Sequence, residues 1–499
     1  MNPQRPNIVL IMSDQHHAGM MGCAGDPLMH TPAMDSLARN GVRFSNAYCG
    51  FPLCGPSRMA FMTCRHPHEI PCLDNECQFN SDIPTFAHAF LAGGYHTVLS
   101  GRMHFVGQDQ RHGFMERTVG DVPESAYLAA GWKLNQVLDD LADTPGMALA
   151  GVVKSGPGRS GYHAYDETVT AATVDWLKQR AASAANDPFL LVVGYAAPHC
   201  PFVAPPEDFA RYADRISIRD LPKPDPNLHP LNVSRRKSYG VDPTPPTDAQ
   251  WRTRVAYYGL CTFLDRQLQS VLDTLKATPF SDNTIVIYTS DHGEALGEHG
   301  FWWKSTFYEG SCHVPLIMSM PGARTAGTTV PQNVSLNDIG ATLLDLAGLP
   351  GLPAASGRSF RCLLDGRPTE WPDTVWSENM SEHLPDMPRC VPGRMVRKGP
   401  WKYNYYHGLE PELFNLDSDP CEIRNRANDP DCCAIRESLQ ALALQGWDPE
   451  TIRQQRIATQ PYRKLQAAWI NKVHPPEPDP LWFKTPPENH VDATLQPPS

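Results

Sequence analysis

A cysteine, a serine and an arginine stand within five residues in the run Phe51-Pro52-Leu53-Cys54-Gly55-Pro56-Ser57-Arg58. Pro56 suits the first turn of a helix, where a missing N–H leaves no partner unmet. Cys54 is therefore expected at a helix N-terminus, facing the positive end of the dipole, with Arg58 one turn on. Both features favour a reactive sulfur and a bound anion. The plainer use of a cysteine is as a buried structural thiol, and the charge around this one argues against it. Other residues able to do chemistry sit where apolar runs stop. Asp14 follows Ile8 to Met12, Arg102 and His104 follow Tyr95 to Ser100, and His199 follows Phe189 to Tyr195. Asp291 and His292 follow Asn283 to Ser290, with Lys304 a little beyond. A carboxylate and an imidazole side by side suit a divalent ion shared with Asp14.

The elements that must position these groups are legible in outline. Continuous apolar, β-branched runs ending in polar residues read as buried parallel strands, whose C-terminal ends gather ligands in α/β proteins. Apolar residues at helical spacing predict helices near 31–41, 84–94, 166–183 and 249–276. Residues 105–160 and 200–250 are punctuated by Gly and Pro and read as irregular excursions. Alternating strands and helices to about residue 350 imply a doubly wound α/β arrangement. Short antiparallel strands are expected at 376–380, 393–397 and 401–406, followed by a helix near 433–445. The expected organisation is a larger α/β domain over 1–370, a small α+β subdomain over 371–470 and an extended tail over 471–499. For that tail two readings stand equally: docking on a neighbouring subunit through Trp482 and Phe483, or a flexible segment.

Composition excludes several classes. Forty-three basic against 54 acidic residues give a net charge of −11, which argues against nucleic-acid binding but leaves room for a locally positive pocket. The first apolar run is too short for a signal segment. No stretch approaches the roughly 20 apolar residues that span a bilayer. The fourteen cysteines are scattered, apart from Cys432 and Cys433. A cytoplasmic, membrane-free protein with reduced thiols is expected. Cys72 and Cys77 lack the second pair that a zinc knuckle needs.

The run Cys54-Gly55-Pro56-Ser57-Arg58 reads Cys-x-Pro-Ser-Arg and resembles the signature of the type I, formylglycine-dependent sulfatases. Asp14, Met103-His104, Pro198-His199 and Ser290-Asp291-His292-Gly293 followed by Lys304 resemble the same family, in its order. Asp74-Asn75, Phe105 to Phe114 and Phe307-Tyr308-Glu309-Gly310-Ser311 are similar to its choline-sulfatase-like and arylsulfatase members, within the alkaline phosphatase superfamily. The resemblance implies an alkaline-phosphatase-like mixed sheet flanked by helices, with a smaller C-terminal α+β subdomain.

It further implies that Cys54 is oxidised to Cα-formylglycine by a formylglycine-generating enzyme. Asp14, Asp291, His292 and the modified Cys54 would then bind one divalent cation, Ca²⁺ first, with Mn²⁺ or Mg²⁺ as alternatives. The aldehyde hydrate would attack the sulfur of a small-molecule sulfate ester of an aryl, alkyl or choline type. Arg58 and Lys304 would neutralise the sulfuryl oxygens, His199 or Lys304 would protonate the leaving oxygen, and His104 would deprotonate the second hydroxyl to expel sulfate. Asn75 is expected to touch substrate. Gln15 stands where many members carry a second acid, and could ligate through its amide oxygen. Arg102 stands where Lys is usual. Trp132 and Glu378 are candidates, by residue type, for a quaternary ammonium cage. A homo-oligomer, dimer or tetramer, is expected. Two alternatives accompany this reading: a phosphonate monoester or phosphodiester hydrolase with the same machinery, and a non-catalytic anion-binding protein with an unmodified Cys54.

Overall fold

The computed structural model describes residues 5–121, 147–222, 227–322, 325–366, 371–473 and 490–498. Strand β1 (Asn7–Ser13) is buried at every position, which is why its sequence is apolar without alternation. Ile8, Leu10 and Met12 join one core, while Val9 and Ile11 join another on the opposite face. The period-2 geometry of a strand thus divides one apolar run between two layers.

The other strands of this sheet are β2 (Val42–Tyr48), β3 (His96–Gly101), β4 (Glu116–Val119), β5 (Phe189–Gly194), β6 (Thr284–Ser290), β7 (His313–Ser319) and β8 (Thr328–Ser335). Their order across the eight-stranded sheet is β8-β2-β7-β6-β1-β5-β3-β4. Strand β7 is antiparallel to both its neighbours, and every other pairing is parallel. β1, β5 and β6 lie together at the centre, so the residues that follow them are delivered to one edge of the sheet.

Helices cover both faces. One face carries α2 (Cys54–Thr63), α3 (Phe86–Ala92) and α7 (Asn337–Leu346), through residues such as Met59, Phe86 and Leu343. The other carries α1 (Pro32–Arg39), α4 (Gly161–Ala182) and α6 (Thr247–Lys276), through Met34, Val169 and Leu268. The run expected to be irregular near 200–250 contains the helix α5 (Pro230–Ser238), and that at 105–160 contributes edge strand β4. A second, antiparallel sheet has the order β9 (Thr374–Ser381), β10 (Val391–Lys398), β11 (Trp401–Tyr406), β12 (Glu412–Asn415). α8 (Cys433–Leu444) packs on it through Leu439 and Ala443 against Val396, Tyr403 and Leu413. A further helix, α9 (Pro449–Val473), carries Pro461 inside it. His490–Val491 of the tail pair antiparallel with Gly158–Arg159, whereas Trp482, Phe483 and Trp132 lie outside the described residues. No described helix is long and apolar enough to cross a membrane.

One capping contact ties the helical layer together. Thr31 gives α1 no side-chain cap. Instead Asp265 of α6 accepts from the Ala33 and Met34 amides at 2.9 Å each. Asp265→Ala strands both first-turn donors and is expected to lower unfolding free energy by about 2–4 kcal/mol, read from the denaturant midpoint. Burial pushes the Asp265 carboxyl up from 3.8 to about 7, against the lowering pull of the two amides. The folded state therefore holds this proton more tightly than the unfolded chain. That contribution is full below the unfolded value and is lost as pH rises through about 7. Asp265→Asn should remove this part of the wild type's decline in stability between pH 5 and 8.

Candidate active site

The sequence places Asp14, Cys54, Asp291 and His292 on three separate stretches, and the fold brings one ligand atom of each within 4.8 Å of the others. Asp14 follows β1 and Asp291–His292 follow β6, strands paired in register from Asn7–Thr284 to Ser13–Ser290. Cys54 is the first residue of α2, after an extended Leu53. The Ser57 hydroxyl donates to the Asp291 carbonyl at 2.5 Å, which fixes the helix end against the end of β6. All four residues are buried.

Two arginines run beneath this group. Arg58, fully buried, donates through Nε to Asp291 Oδ2 at 2.8 Å and through Nη2 to Asp14 Oδ2 at 3.2 Å. Its remaining contacts go to the Arg102 and Ser13 carbonyls at 3.0 and 3.3 Å. Arg102 donates through Nε to Asp14 Oδ2 at 2.7 Å. Burial alone would raise the Asp14 carboxyl, but Arg102, His199, Arg58 and Lys304 together hold it well below the usual carboxylate range. Burial drives the His292 imidazole down to about 4. Its Nδ1–H donates to the Gly293 carbonyl at 2.9 Å, so neutral His292 turns the Nε2 lone pair to the Cys54 sulfur, 3.1 Å away. Two carboxylates, a neutral imidazole nitrogen and the residue-54 side chain converge without bulk between them. This donor set fits a hard or borderline divalent cation.

On another side of Cys54 stands Lys304, also buried. Its Nζ lies 3.1 Å from Sγ, donates to Gln15 Oε1 at 2.8 Å and donates to His199 Nε2 at 2.9 Å. His199 Nδ1–H donates to the Cys200 carbonyl at 2.5 Å, which leaves Nε2 as the acceptor. Burial would lower the Lys304 ammonium, yet its acidic neighbours, Cys54 first and the Asp14 and Asp291 carboxylates with it, raise it overall.

His104 occupies the far side. Its Nδ1 accepts from Arg102 Nη2 at 3.2 Å and its Nε2 donates to the Asn75 carbonyl at 3.2 Å. Asn75 in turn accepts from the Gly55 amide through Oδ1 at 2.8 Å. Gln15, His104, Trp303 and Ser305 all hold φ between 59° and 73°, a left-handed conformation that non-glycine residues sustain only where surroundings over-determine it.

Asp14, Cys54, Arg58, Asn75, Arg102, His104, His199, Asp291, His292 and Lys304 all reach this one network, directly or through one partner. Gln15 lies beside the group: its amide nitrogen donates to Glu294 Oε2 at 2.5 Å and its oxygen accepts from Lys304 Nζ at 2.8 Å. Two readings need correction. Glu378 does not offer a carboxylate for a cation cage, because His68 Nδ1 at 2.6 Å and Arg394 Nε at 3.6 Å already engage it. Arg58 spends its contacts on Asp14, Asp291 and the Arg102 and Ser13 carbonyls rather than on a position beside Lys304.

Two carboxylates were not anticipated. Glu294, buried, accepts from the Leu296 and Trp303 amides at 2.8 and 2.6 Å and so shapes the loop that carries Lys304. Asp121 accepts from the Met103 and His104 amides and pairs with Arg117 at 3.5 Å.

A cavity of about 670 Å³ adjoins the site, with Leu53, Asn75 and Ser305 at its inner end. Comparison with known proteins agrees with the architecture. The "Sulfatase" family model matches residues 6–349, and the "N-sulphoglucosamine sulphohydrolase, C-terminal" model matches residues 297–445. A choline-sulfatase of Rhizobium meliloti (strain 1021) is 32% identical over 473 residues, covering 90% of this chain and 88% of that protein. Arylsulfatase K of Danio rerio is 29% identical over 456 residues, covering 87% and 83%. In fold, the crystal structure of a phosphonate monoester hydrolase of Agrobacterium radiobacter superposes with a TM-score of 0.70 at 23% identity, over 90% of this chain and 96% of that one. With a family model over most of its length and a relative above 30% identity across nearly all of it, the chain belongs to the sulfatase family of the alkaline phosphatase superfamily.

Proposed function

We propose that this protein hydrolyses small-molecule sulfate monoesters, ROSO₃⁻ and water giving ROH and hydrogen sulfate, through a formylglycine made from Cys54. The observation that carries this reading is the setting of Cys54 Sγ. It lies at a helix N-terminus, 3.1 Å from Lys304 Nζ, 3.1 Å from His292 Nε2 and 3.6 Å from Asp14 Oδ1. The sulfur marks where the oxygens of a formylglycine hydrate would sit. Such a hydrate supplies two geminal hydroxyls, one to attack sulfur and one to expel sulfate. Asp14, Asp291, His292 and residue 54 would hold a divalent cation, Ca²⁺ for preference, with Mn²⁺ or Mg²⁺ as alternatives. When bound, it supplies positive charge against the anionic ester and acidifies the attacking hydroxyl.

The chain's own groups divide the remaining work. Lys304, beside the Asp14 and Asp291 carboxylates, is a good anchor for a sulfuryl oxygen. An oxygen bound there takes over the N–H now given to His199 Nε2, freeing that nitrogen to carry the proton delivered to the leaving oxygen. On the far side His104 is the proposed base. Its Nδ1 bears the lone pair, since Arg102 can only donate, and the Asn75 carbonyl at Nε2 stabilises the imidazolium formed. Arg58 and Arg102 act through Asp14 and Asp291, fixing the carboxylates and balancing their charge.

Mass analysis of the peptide containing residue 54, together with turnover of 4-nitrophenyl sulfate and a phenyl phosphonate ester, tests the proposal. Aldehyde in place of thiol and faster sulfate turnover support it. An unmodified thiol in protein from a competent host, or a dominant phosphonate rate, refutes it. The His199 assignment makes a separate forecast. His199→Asn should lower kcat/KM for alkyl sulfates by about 10²–10⁴-fold and for 4-nitrophenyl sulfate far less, because that phenolate leaves without a proton. Equal losses on both esters would remove His199 from the acid role.

A further inference from the structure

We infer that the leaving-group cavity is built for an alcohol that carries a second negative charge, such as a carboxylate, and that Arg235 is the residue that receives it. The inference rests on the sulfate-ester reading of the site and names the class of substrate that site would take.

The walls of the cavity hold both signs of charge, and their pairing decides which sign is left over. Its three acids are Asp74, Glu76 and Glu382. Each already faces an arginine of α9: Asp74 is held by Arg456 and Arg463, Glu76 by Arg463 at 2.6 Å, and Glu382 by Arg456. A cationic alcohol would find every one of these carboxylates already engaged. Arg235 is different. It lines the same cavity, is 4% exposed, and has no carboxylate within ion-pair distance among the described residues. Nη2 donates to the Ser381 hydroxyl at 2.6 Å, while Nε is buried with no acceptor. A buried guanidinium that lines a cavity without a carboxylate partner is costly unless an anion completes it.

The geometry around Arg235 is that of a fixed receptor rather than a mobile surface charge. It projects from α5, a two-turn helix whose N-terminus is anchored by the His229 side chain, which accepts from the Leu231 amide. The Ser381 hydroxyl at the end of β9 then holds the guanidinium's orientation. Arg389 and Lys464 add exposed positive charge at the cavity margin. An anion entering here meets a field of its own counter-sign, whereas a quaternary ammonium meets like charge. Planar, bidentate donors of this kind match a carboxylate or a second sulfate better than a lone ammonium would.

The test uses the matured full-length protein and reads binding as well as turnover. Dissociation constants are measured by calorimetry for benzenesulfonate, 4-sulfobenzoate and 4-(trimethylammonio)benzenesulfonate, which share a ring and differ only in the second charge. kcat/KM is compared for phenyl sulfate and 4-carboxyphenyl sulfate. The wild type should favour the carboxylated member of each pair by about 10- to 100-fold, the range set by one charge-assisted hydrogen-bonding partner. Arg235→Gln should bring both ratios close to one, and Arg235→Lys should keep part of the preference. A wild-type ratio near one, a preference for the trimethylammonio compound, no measurable binding of 4-sulfobenzoate, or an unchanged ratio in folded Arg235→Gln would each overturn the inference. If Arg235→Gln does not fold, the wild-type ratios and Arg235→Lys decide. Carboxylate-dependent binding without hydrolysis of either sulfate would leave the Arg235 subsite standing and defeat the sulfatase reading alone.

Discussion

Cys54→Ala is expected to abolish turnover of every sulfate ester, lowering kcat by about 10⁴–10⁶-fold, the scale seen when a nucleophile is removed from a unit of cooperating residues. The fold should survive, because the lost side chain is small and its neighbours keep other partners. Lys304 retains Gln15 and His199, and His292 retains the Gly293 carbonyl. The variant is also expected to keep binding a sulfonate through Lys304, whose contacts to Gln15 and His199 are untouched. Binding without turnover is the diagnostic pair of results. Cys54→Ser, made in the same host, should do no better in steady state: a single hydroxyl can attack sulfur but has no geminal partner to expel the sulfate. Retention of a few per cent of wild-type kcat by Cys54→Ala would mean that another group attacks, and the proposed chemistry would fall.

How much of this was legible in the sequence follows from where each residue sits. Asp14 and Asp291–His292 stand out because buried strands leave unbroken apolar runs, and a polar residue that ends such a run must sit at the sheet edge. Cys54 stands out by its motif and by Pro56. Asp121 does not: it follows a short edge strand, and its partners are backbone amides of Met103 and His104, contacts that leave no periodic trace. Glu294 was visible beside Asp291–His292, but its role depends on Trp303, nine residues on in an irregular loop.

Helix α9 was missed for a different reason. It buries only Ile452 and Ile470, contains Pro461, and is tied to the Asp74–Glu76 loop by Arg456 and Arg463. Hydrophobic periodicity cannot announce a helix whose packing is ionic. Residue type brought Gln15 forward, but not its partners: both ends of its amide are engaged, by the buried Glu294 and by Lys304.

Arg58 gives the second large forecast, on stability rather than rate. Removing one partner from a buried ion network leaves uncompensated charge, at about 3–5 kcal/mol. Here Arg58 faces both Asp14 and Asp291, with no solvent to replace it. Arg58→Ala is therefore expected to lower unfolding free energy by at least that amount, measured by denaturant titration in the presence of a chelator. Arg58→Lys keeps the charge but is a single point donor, unable to reach two carboxylates and two carbonyls together, so it should recover less than half of the loss. Because the stranded carboxylates are the proposed cation ligands, added Ca²⁺ should stabilise Arg58→Ala more than it stabilises the wild type, without restoring turnover. A variant as stable as the wild type under chelation would show that Asp14 and Asp291 are not charged in the folded protein, and the case for a cation between them would lose its electrostatic basis.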